Sequence, residues 1–268
     1  MLLEITPVVL TYNEEPNIAR TLEQLRWARR VIVLDSFSSD ATLEIARRFE
    51  NVRVIQNRFV DFATQWNFIL DHAAIESEWV LALDADYVLS DELVAELAAL
   101  QPEPDVGGYR CAFQYCIQGK ALRGSLYPPN TLLFRHRLGR YIQDGHAYRL
   151  TLAGGRVVPL RSKIKHDDRK SLARWLISQE HYARDEADKL RATPLRKLSW
   201  PDRIRRVPFA APAIVPWYCL LIQRSALDGV YGLAYVAQRT VAELILSLML
   251  VEDHVKSGWD QDSRDQSQ

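Results

Sequence analysis

Four short apolar runs punctuate the first hundred residues: "ITPVVLT" (5–11), "VIVLD" (31–35), "VRVI" (52–55) and "WVLAL" (79–83). Each has the length of a strand, and each is followed by a segment whose apolar residues recur at helical spacing. Ile18, Leu22 and Leu25 follow the first run, with Pro16 placed to open their helix. Leu43, Ala46 and Phe49 follow the second, behind Ser39 or Asp40 as the cap. Phe62, Trp66, Ile69 and Ala73 follow the third; Leu93, Leu97 and Leu100 follow the fourth, behind Ser90 as the cap. Parallel strands need helix-length crossovers that cover both sheet faces, and such strands read as nearly unbroken apolar runs. The predicted fold class is therefore α/β, with a mostly parallel sheet flanked by helices.

In such sheets ligands bind beyond the carboxyl ends of the strands. Polar clusters stand at three of those ends: "TYNEE" after the first run, "DSFSSD" after the second and "DAD" after the fourth. Their placement predicts one polar crevice. Asp84 and Asp86, one residue apart at the mouth of a buried strand, call for a positive partner. A D-x-D pair on an irregular turn can hold a divalent ion, and oxygen ligands alone favour Mg²⁺ or Mn²⁺ over zinc. Asp35 is placed to accept hydrogen bonds from a base or ribose. The structural alternative is that Asp84 and Asp86 only begin a solvated loop.

Charge divides the chain. Residues 1–105 carry 19 acids and 8 bases, and the remainder 15 acids and 26 bases, although the net charge is zero. A basic second part points to a polyanionic or membrane-surface partner. Three cysteines, Cys111, Cys116 and Cys219, match no zinc spacing and suit a reducing compartment. The start "MLLEITPVVLTYNEE" lacks a basic n-region and cleavage site, so the front domain is expected in the cytoplasm.

The segments "VVLTYNEEPNIARTLEQL", "VIVLDSFSSDATLEIA" and "FATQWNFILDHAAIESEWVLALDADYVLSDEL" resemble family 2 glycosyltransferases, inverting and metal-dependent enzymes of the GT-A fold. The resemblance is specific from residue 5 to about 100 and looser beyond, nearest to the subgroup of lipopolysaccharide-core glucosyltransferases. It implies that Thr11 and Glu14 line the nucleotide pocket and that Asp35 binds the base. Asp84 would then face the ribose and the water shell of the metal, and Asp86 would ligate the metal. Relatives often carry "VHE", whose Glu suits a catalytic base; here "QDGHAYR" (143–149) puts Ala147 at that place. Asp144, beside Gly145, is the expected base, with His146 as the alternative. In "KHDDRK" (165–170) His166 resembles a histidine that touches metal or diphosphate in such enzymes, and Lys165 and Arg169 would add positive charge near phosphate. Trp66 and Trp175 read as core; Tyr127, in "SLYPPN", is a loop aromatic able to stack on a sugar.

Residues 1–190 are expected to form the GT-A domain, with a nucleotide-binding half (1–105) and an acceptor half (106–190) that ends in an amphipathic helix striped by Leu172, Leu176, Ala183, Ala187 and Leu190. Residues 191–258 form the expected helical extension, and 259–268 a disordered tail. The stretch 191–206 has six bases and one acid, and "VPFAAPAIVPWYCLLI" (207–222) is apolar but interrupted by three prolines. That suits a peripheral anchor on anionic lipid rather than a span. Arg239 and Glu243 argue against spanning by the apolar segment 231–252 as well. The sequence thus predicts transfer of a hexose from a nucleotide sugar, UDP-linked by expectation, to a hydroxyl of a bacterial glycolipid or lipid-linked glycan. The place would be the cytoplasmic face of the plasma membrane, peripherally. Transfer to polyprenyl phosphate and an inactive nucleotide-sugar-binding scaffold are the alternatives. Nucleic acid is not expected as a partner, because the bases adjoin proline-broken apolar sequence.

Overall fold

The computed structural model describes residues 1–145 and 147–265, with side chains through Glu252. The chain divides into two compact units. The first holds Met1–Gln143 and Tyr148–Lys170; the second holds Asp144–Ala147 and the chain from Ser171 onward.

In the first unit, β1 (Ile5–Thr11), β2 (Val31–Asp35), β3 (Val52–Gln56) and β4 (Trp79–Asp84) are parallel, in the spatial order β3-β2-β1-β4. Helices α1 (Ile18–Glu23), α2 (Thr42–Ala46), α3 (Phe62–His72) and α4 (Asp91–Ala99) accompany them. The period of two in each strand feeds two separate cores. Ile5, Val9, Val31, Val33, Leu81 and Leu83 pack with α1 and α4 residues such as Leu22 and Leu97. Val8, Leu10, Ile32, Leu34, Val80 and Ala82 pack with Trp66, Ile69 and Leu70 of α3. Both faces being covered is why these runs read as unbroken. Ser90 caps α4 as expected, accepting from the Leu93 amide at 3.2 Å. The cap expected for α2 differs: the helix begins at Thr42, and Asp40 Oδ1 accepts from the Thr42 amide at 3.0 Å.

Beyond β4 the sheet becomes mixed. A two-residue strand, β5 (Tyr87–Val88), precedes β6 (Val106–Ile117), which pairs with the short β7 (Lys120–Ala121). Next, β8 (Asn130–Arg135) lies antiparallel between β4 and β6, while β9 (Gly139–Asp144) and β10 (Ala147–Leu152) form a separate two-stranded sheet. Finally β11 (Arg156–His166) runs parallel to β6 and antiparallel to β5. Two registers matter for the site. Thr11 aligns with Asp35 and Leu10 with Asp84, which brings the strand ends level. His166 aligns with Tyr87, which brings the end of β11 beside the D-x-D turn.

The second unit is helical: α5 (Leu172–Ala192), α6 (Trp200–Arg205), α7 (Ala210–Trp217) and α8 (Gly229–Asp265). A π-helical turn (Tyr218–Ile222) and a 3-10 turn (Ser225–Asp228) separate α7 from α8. Ala183, Ala187 and Leu190 of α5 pack with Leu198 and with Leu246 of α8. The expected boundary at 190 therefore moves back to 170, because the apolar stripe of α5 is completed by the C-terminal helices. Leu172 and Leu176, expected on that stripe, are exposed, and Trp175 is only half-buried rather than core. Gly232 is needed where α8 begins, since a Cβ there would stand 1.8 Å from the Ser225 carbonyl oxygen. The tail set apart at 259–268 falls on the end of α8: its backbone is helical to Asp265, its side chains lie outside the described residues, and so do residues 266–268.

Deep in this unit Glu243, 2% exposed, accepts from Arg205 through Nη2 at 2.8 Å and Nε at 3.0 Å. Removing one partner of a buried ion pair strands the other charge. Arg205→Met is therefore expected to lower unfolding free energy by about 3–5 kcal/mol, with Arg205→Met/Glu243→Met recovering most of it in denaturant titrations. A single variant as stable as wild type would show that Glu243 does not depend on Arg205.

Candidate active site at the carboxyl edge of the sheet

Asp35 ends β2 fully buried, yet every donor it needs is local. The Ser38 amide donates to Oδ2 at 3.0 Å, Gln56 Nε2 donates to the same oxygen at 3.0 Å, and the Ser38 hydroxyl donates to Oδ1. Asn13, at φ 53°, laces the first loop to the second: its amide donates to Ser38 Oγ at 2.7 Å and its Oδ1 accepts from the Ser39 amide at 2.7 Å. Both loops leave an aromatic ring outside, Tyr12 at 55% exposure and Phe37 at 57%. These rings had no periodic signal in the sequence and were passed over there. Thr11 is buried beside Asp35 in the ladder, and its hydroxyl has no hydrogen-bond partner among the described residues.

The D-x-D turn is buried as well. Asp86 Oδ2 lies 3.1 Å from His166 Nε2, while Asp86 Oδ1 and His166 Nδ1 have no partner among the described residues. Tyr127, Tyr115 and Tyr87 surround the imidazole edge-on at 4.5, 4.9 and 5.2 Å between ring centroids. Tyr127 is thus a wall of the histidine pocket rather than a loop ring free for sugar. Asp84 accepts from the Tyr148 hydroxyl at 3.3 Å.

Environment drives the two carboxylates apart. Burial, reinforced by the charge of Asp86, pushes Asp84 up to about 6. Burial acts on Asp86 too, but the His166 charge and hydrogen bond outweigh it and hold Asp86 down at about 2. His166 is raised in turn, because Asp86 outweighs the burial that disfavours an imidazolium.

A second cluster joins the first loop to the segment after β11. Glu14, buried, accepts from Lys170 Nζ at 2.5 Å and from Asn17 Nδ2 at 2.8 Å. Lys170 lies 3.7 Å from Asp168 as well, and although burial opposes its charge, Glu14, Asp86 and Asp168 raise its pKa. Lys170 was missed because nothing in "KHDDRK" distinguishes one base from another. Lys165 is not brought to this cluster. Alternation along β11 buries Ile164 and His166 and turns Lys165 outward, next to Ser90 and Glu92 in a surface recess. Arg169 is committed elsewhere: its Nε and Nη2 donate to Asp167 Oδ2 at 3.0 and 2.9 Å, and Arg20 Nη1 donates to the same oxygen at 2.7 Å.

Asp144 belongs to the second unit, half-exposed, with Lys189 Nζ at 3.1 Å. Gly145 is at φ 64°, and a Cβ there would lie 2.5 Å from Glu186 Oε2, so glycine is required at this tip. His146, the alternative base, lies outside the described residues.

Among the described residues no three of His, Cys, Asp and Glu form a preformed metal cage. An ion that takes most of its oxygens from diphosphate and water needs few protein ligands. Asp86 Oδ1, buried without a partner beside a second carboxylate, fits that requirement.

Fold and edge first define a class: an α/β protein whose parallel strand ends gather carboxylates where such sheets bind nucleotides. The family model described as Glycosyl transferase family 2 matches residues 7–155, more than half of the chain, and the protein belongs to that family. It is accordingly a transferase with a GT-A-like fold. The SPbeta prophage-derived glycosyltransferase SunS of Bacillus subtilis is 29% identical over 134 residues, which is 49% of this chain and 31% of SunS. An uncharacterized glycosyltransferase of Rickettsia typhi is 34% identical over 95 residues, 35% of this chain and 32% of its own. The chain thus spans about a third of the length of these curated relatives. Among solved structures, S. aureus TarS with UDP-GlcNAc aligns over 95% of this chain and 92% of its own at 16% identity and a TM-score of 0.48. Glucosyl-3-phosphoglycerate synthase of Mycobacterium tuberculosis, with Mn²⁺, UDP and glucosyl-3-phosphoglycerate, aligns over 42% of this chain and 44% of its own at 20% identity and a TM-score of 0.35.

The buried acid Glu14 gives this edge a measurable signature. Burial, against the opposing charge of Lys170, pushes Glu14 up to about 7. A raised carboxyl pKa contributes stability below its unfolded value and loses it as pH rises through its folded value. Glu14→Gln is therefore expected to gain thermal stability relative to wild type as pH rises from about 5 to 8. A difference in midpoint that does not change over that window would contradict the assignment.

Proposed function

We propose that this glycosyltransferase moves a hexose from a nucleoside-diphosphate sugar, UDP-linked, to a hydroxyl of a bacterial glycolipid or lipid-linked glycan, with inversion at the anomeric carbon. The observation that carries the reading is the partnerless, buried Asp86 Oδ1, two residues beyond the end of β4, at the edge where Asp84, Asp35 and Thr11 end their strands level. Mg²⁺ or Mn²⁺ is the cofactor proposed. Asp86 would hold it, with Asp84 acting through water and His166 fixing Asp86 or adding a ligand. When bound, it supplies positive charge for the diphosphate of the donor and for the departing nucleoside diphosphate.

The remaining work falls to side chains. Asp35 orders the loop that receives the base and ribose, and Tyr12 and Phe37 offer faces for stacking on the base. Lys170 supplies a permanent cation near Asp86. In transfer, the acceptor oxygen bonds to the anomeric carbon as the bond to diphosphate breaks, and a carboxylate takes the hydroxyl proton. Asp144 is proposed for that base. The lipopolysaccharide-core subgroup supplies the acceptor class proposed, and a lipid-borne acceptor places the reaction at the cytoplasmic face of the plasma membrane.

The test is donor hydrolysis and transfer with a panel of nucleotide sugars and Mn²⁺, UDP sugars first. Asp86→Ala is expected to lower both by about a hundredfold or more. Asp144→Ala is expected to lose transfer to a hydroxyl while keeping donor binding. Transfer insensitive to Asp144→Ala would replace the hydroxyl acceptor with an already ionised one, polyprenyl phosphate. Metal-dependent nucleotide binding without turnover on any donor would replace the enzyme reading with that of a scaffold.

A further inference from the structure

The second unit encloses a charged cluster and leaves several large apolar side chains outside. Glu186, Asp202 and Glu243 are buried, and Arg205 faces all three, at 3.9, 3.7 and 2.8 Å. Meanwhile α6, α7, the π-helical turn and the start of α8 leave large apolar groups in solvent. Trp200 is 75% exposed, Trp217 65%, Leu221 67%, Ile222 66% and Val230 71%. These segments pack on one another, and each leaves apolar groups in solvent. An apolar area of this kind, rimmed by polar groups, marks an interaction surface.

The bases that flank these segments in sequence identify the occupant. Arg196, Lys197, Arg206 and Arg224 are exposed, and none has a carboxylate partner among the described residues. Exposed tryptophans beside unpaired bases match the level of phospholipid headgroups, where indole rings concentrate and anionic lipid attracts Lys and Arg. A protein partner matching this chemistry would need an apolar face edged with acids.

The helix Ser225–Glu252 is long enough and apolar enough to cross a bilayer by length and composition. The charged cluster forbids it. Glu243 stands well inside that helix and is held by Arg205 among Glu186 and Asp202, so crossing would carry α5 and α6 charges into hydrocarbon or tear the pair apart. We propose that the face formed by α6, α7, the π-helical turn and the start of α8 docks on an anionic bilayer surface from one side. Its aromatic and aliphatic groups enter the headgroup layer, and no segment crosses. This rests on the lipid-borne acceptor proposed above and names the surface that meets the lipid.

Full-length protein is sedimented with vesicles of phosphatidylcholine, alone or with phosphatidylglycerol at about one third. Binding to the anionic vesicles, released by high salt and by alkaline carbonate, is expected. Trp217→Ser/Leu221→Ser and, separately, Arg196→Glu/Lys197→Glu are each expected to weaken partitioning roughly tenfold or more. Both variants should keep wild-type circular dichroism and wild-type donor hydrolysis in solution, which separates lost docking from lost folding. Wild type left in the supernatant with anionic vesicles would overturn the docking, whereas hydrolysis persisting there would leave the transferase reading intact. Resistance to carbonate would overturn the one-sided mode in favour of a crossing helix. A lipid-free dimer dissolved by Trp217→Ser/Leu221→Ser would assign the face to a second copy of this chain instead.

Discussion

A carboxylate withdrawn from water costs several kcal/mol of effective penalty unless its lone pairs are met. The first unit keeps Glu14, Asp35, Asp86 and Asp167 buried at one edge of a sheet. Each is met differently. Asp35 is satisfied by its own loop and by Gln56, and Asp167 by Arg20 and Arg169. Glu14 is matched by Lys170, and Asp86 by His166. Most other features of this edge follow from that requirement, including the laced loops after β1 and β2 and the short antiparallel contact of β5 with β11. Among the described residues, Asp86 Oδ1, His166 Nδ1 and Thr11 Oγ1 remain unmet there, open to a ligand.

The second unit inverts the arrangement. Glu186, Asp202 and Glu243 are enclosed with Arg205, while Trp200 and Trp217 face out. A buried ion cluster is weak evidence for stability, but it fixes which helix faces meet. It also accounts for how α8 can be apolar enough for a membrane span and still be anchored to its own protein. The tip Asp144–Gly145 belongs to this same charged neighbourhood, through Lys189 and Glu186.

The four parallel strands, their helices and the polar strand ends were legible because each rests on a local pattern. Period two along β1, β2 and β4 splits into two cores as alternation requires, and Ser90 caps the helix it precedes. Lys165 and Arg169 lie apart from the pair of Glu14 and Lys170, and the boundary falls at 170, for a different reason. Lys165 points outward by strand parity while Lys170 lies in the segment after β11, a difference of place and not of chemistry. The stripe of α5 names apolar positions but not the partner that covers them, so Leu172 and Leu176 stayed exposed while Ala183, Ala187 and Leu190 met α8.

Local residue order therefore settled that this chain makes a nucleotide-type α/β sheet with acids at its carboxyl edge, and the family match agrees. It could not settle which of those acids stays charged. That depends on pairings across long stretches of chain: Asp86 with His166 and Glu14 with Lys170. A carboxylate's pKa is set by burial and by neighbours brought in from elsewhere, and no local window of sequence contains either. The same holds for the second unit, where the fold alone decided that Glu243 would be enclosed and Trp217 left outside.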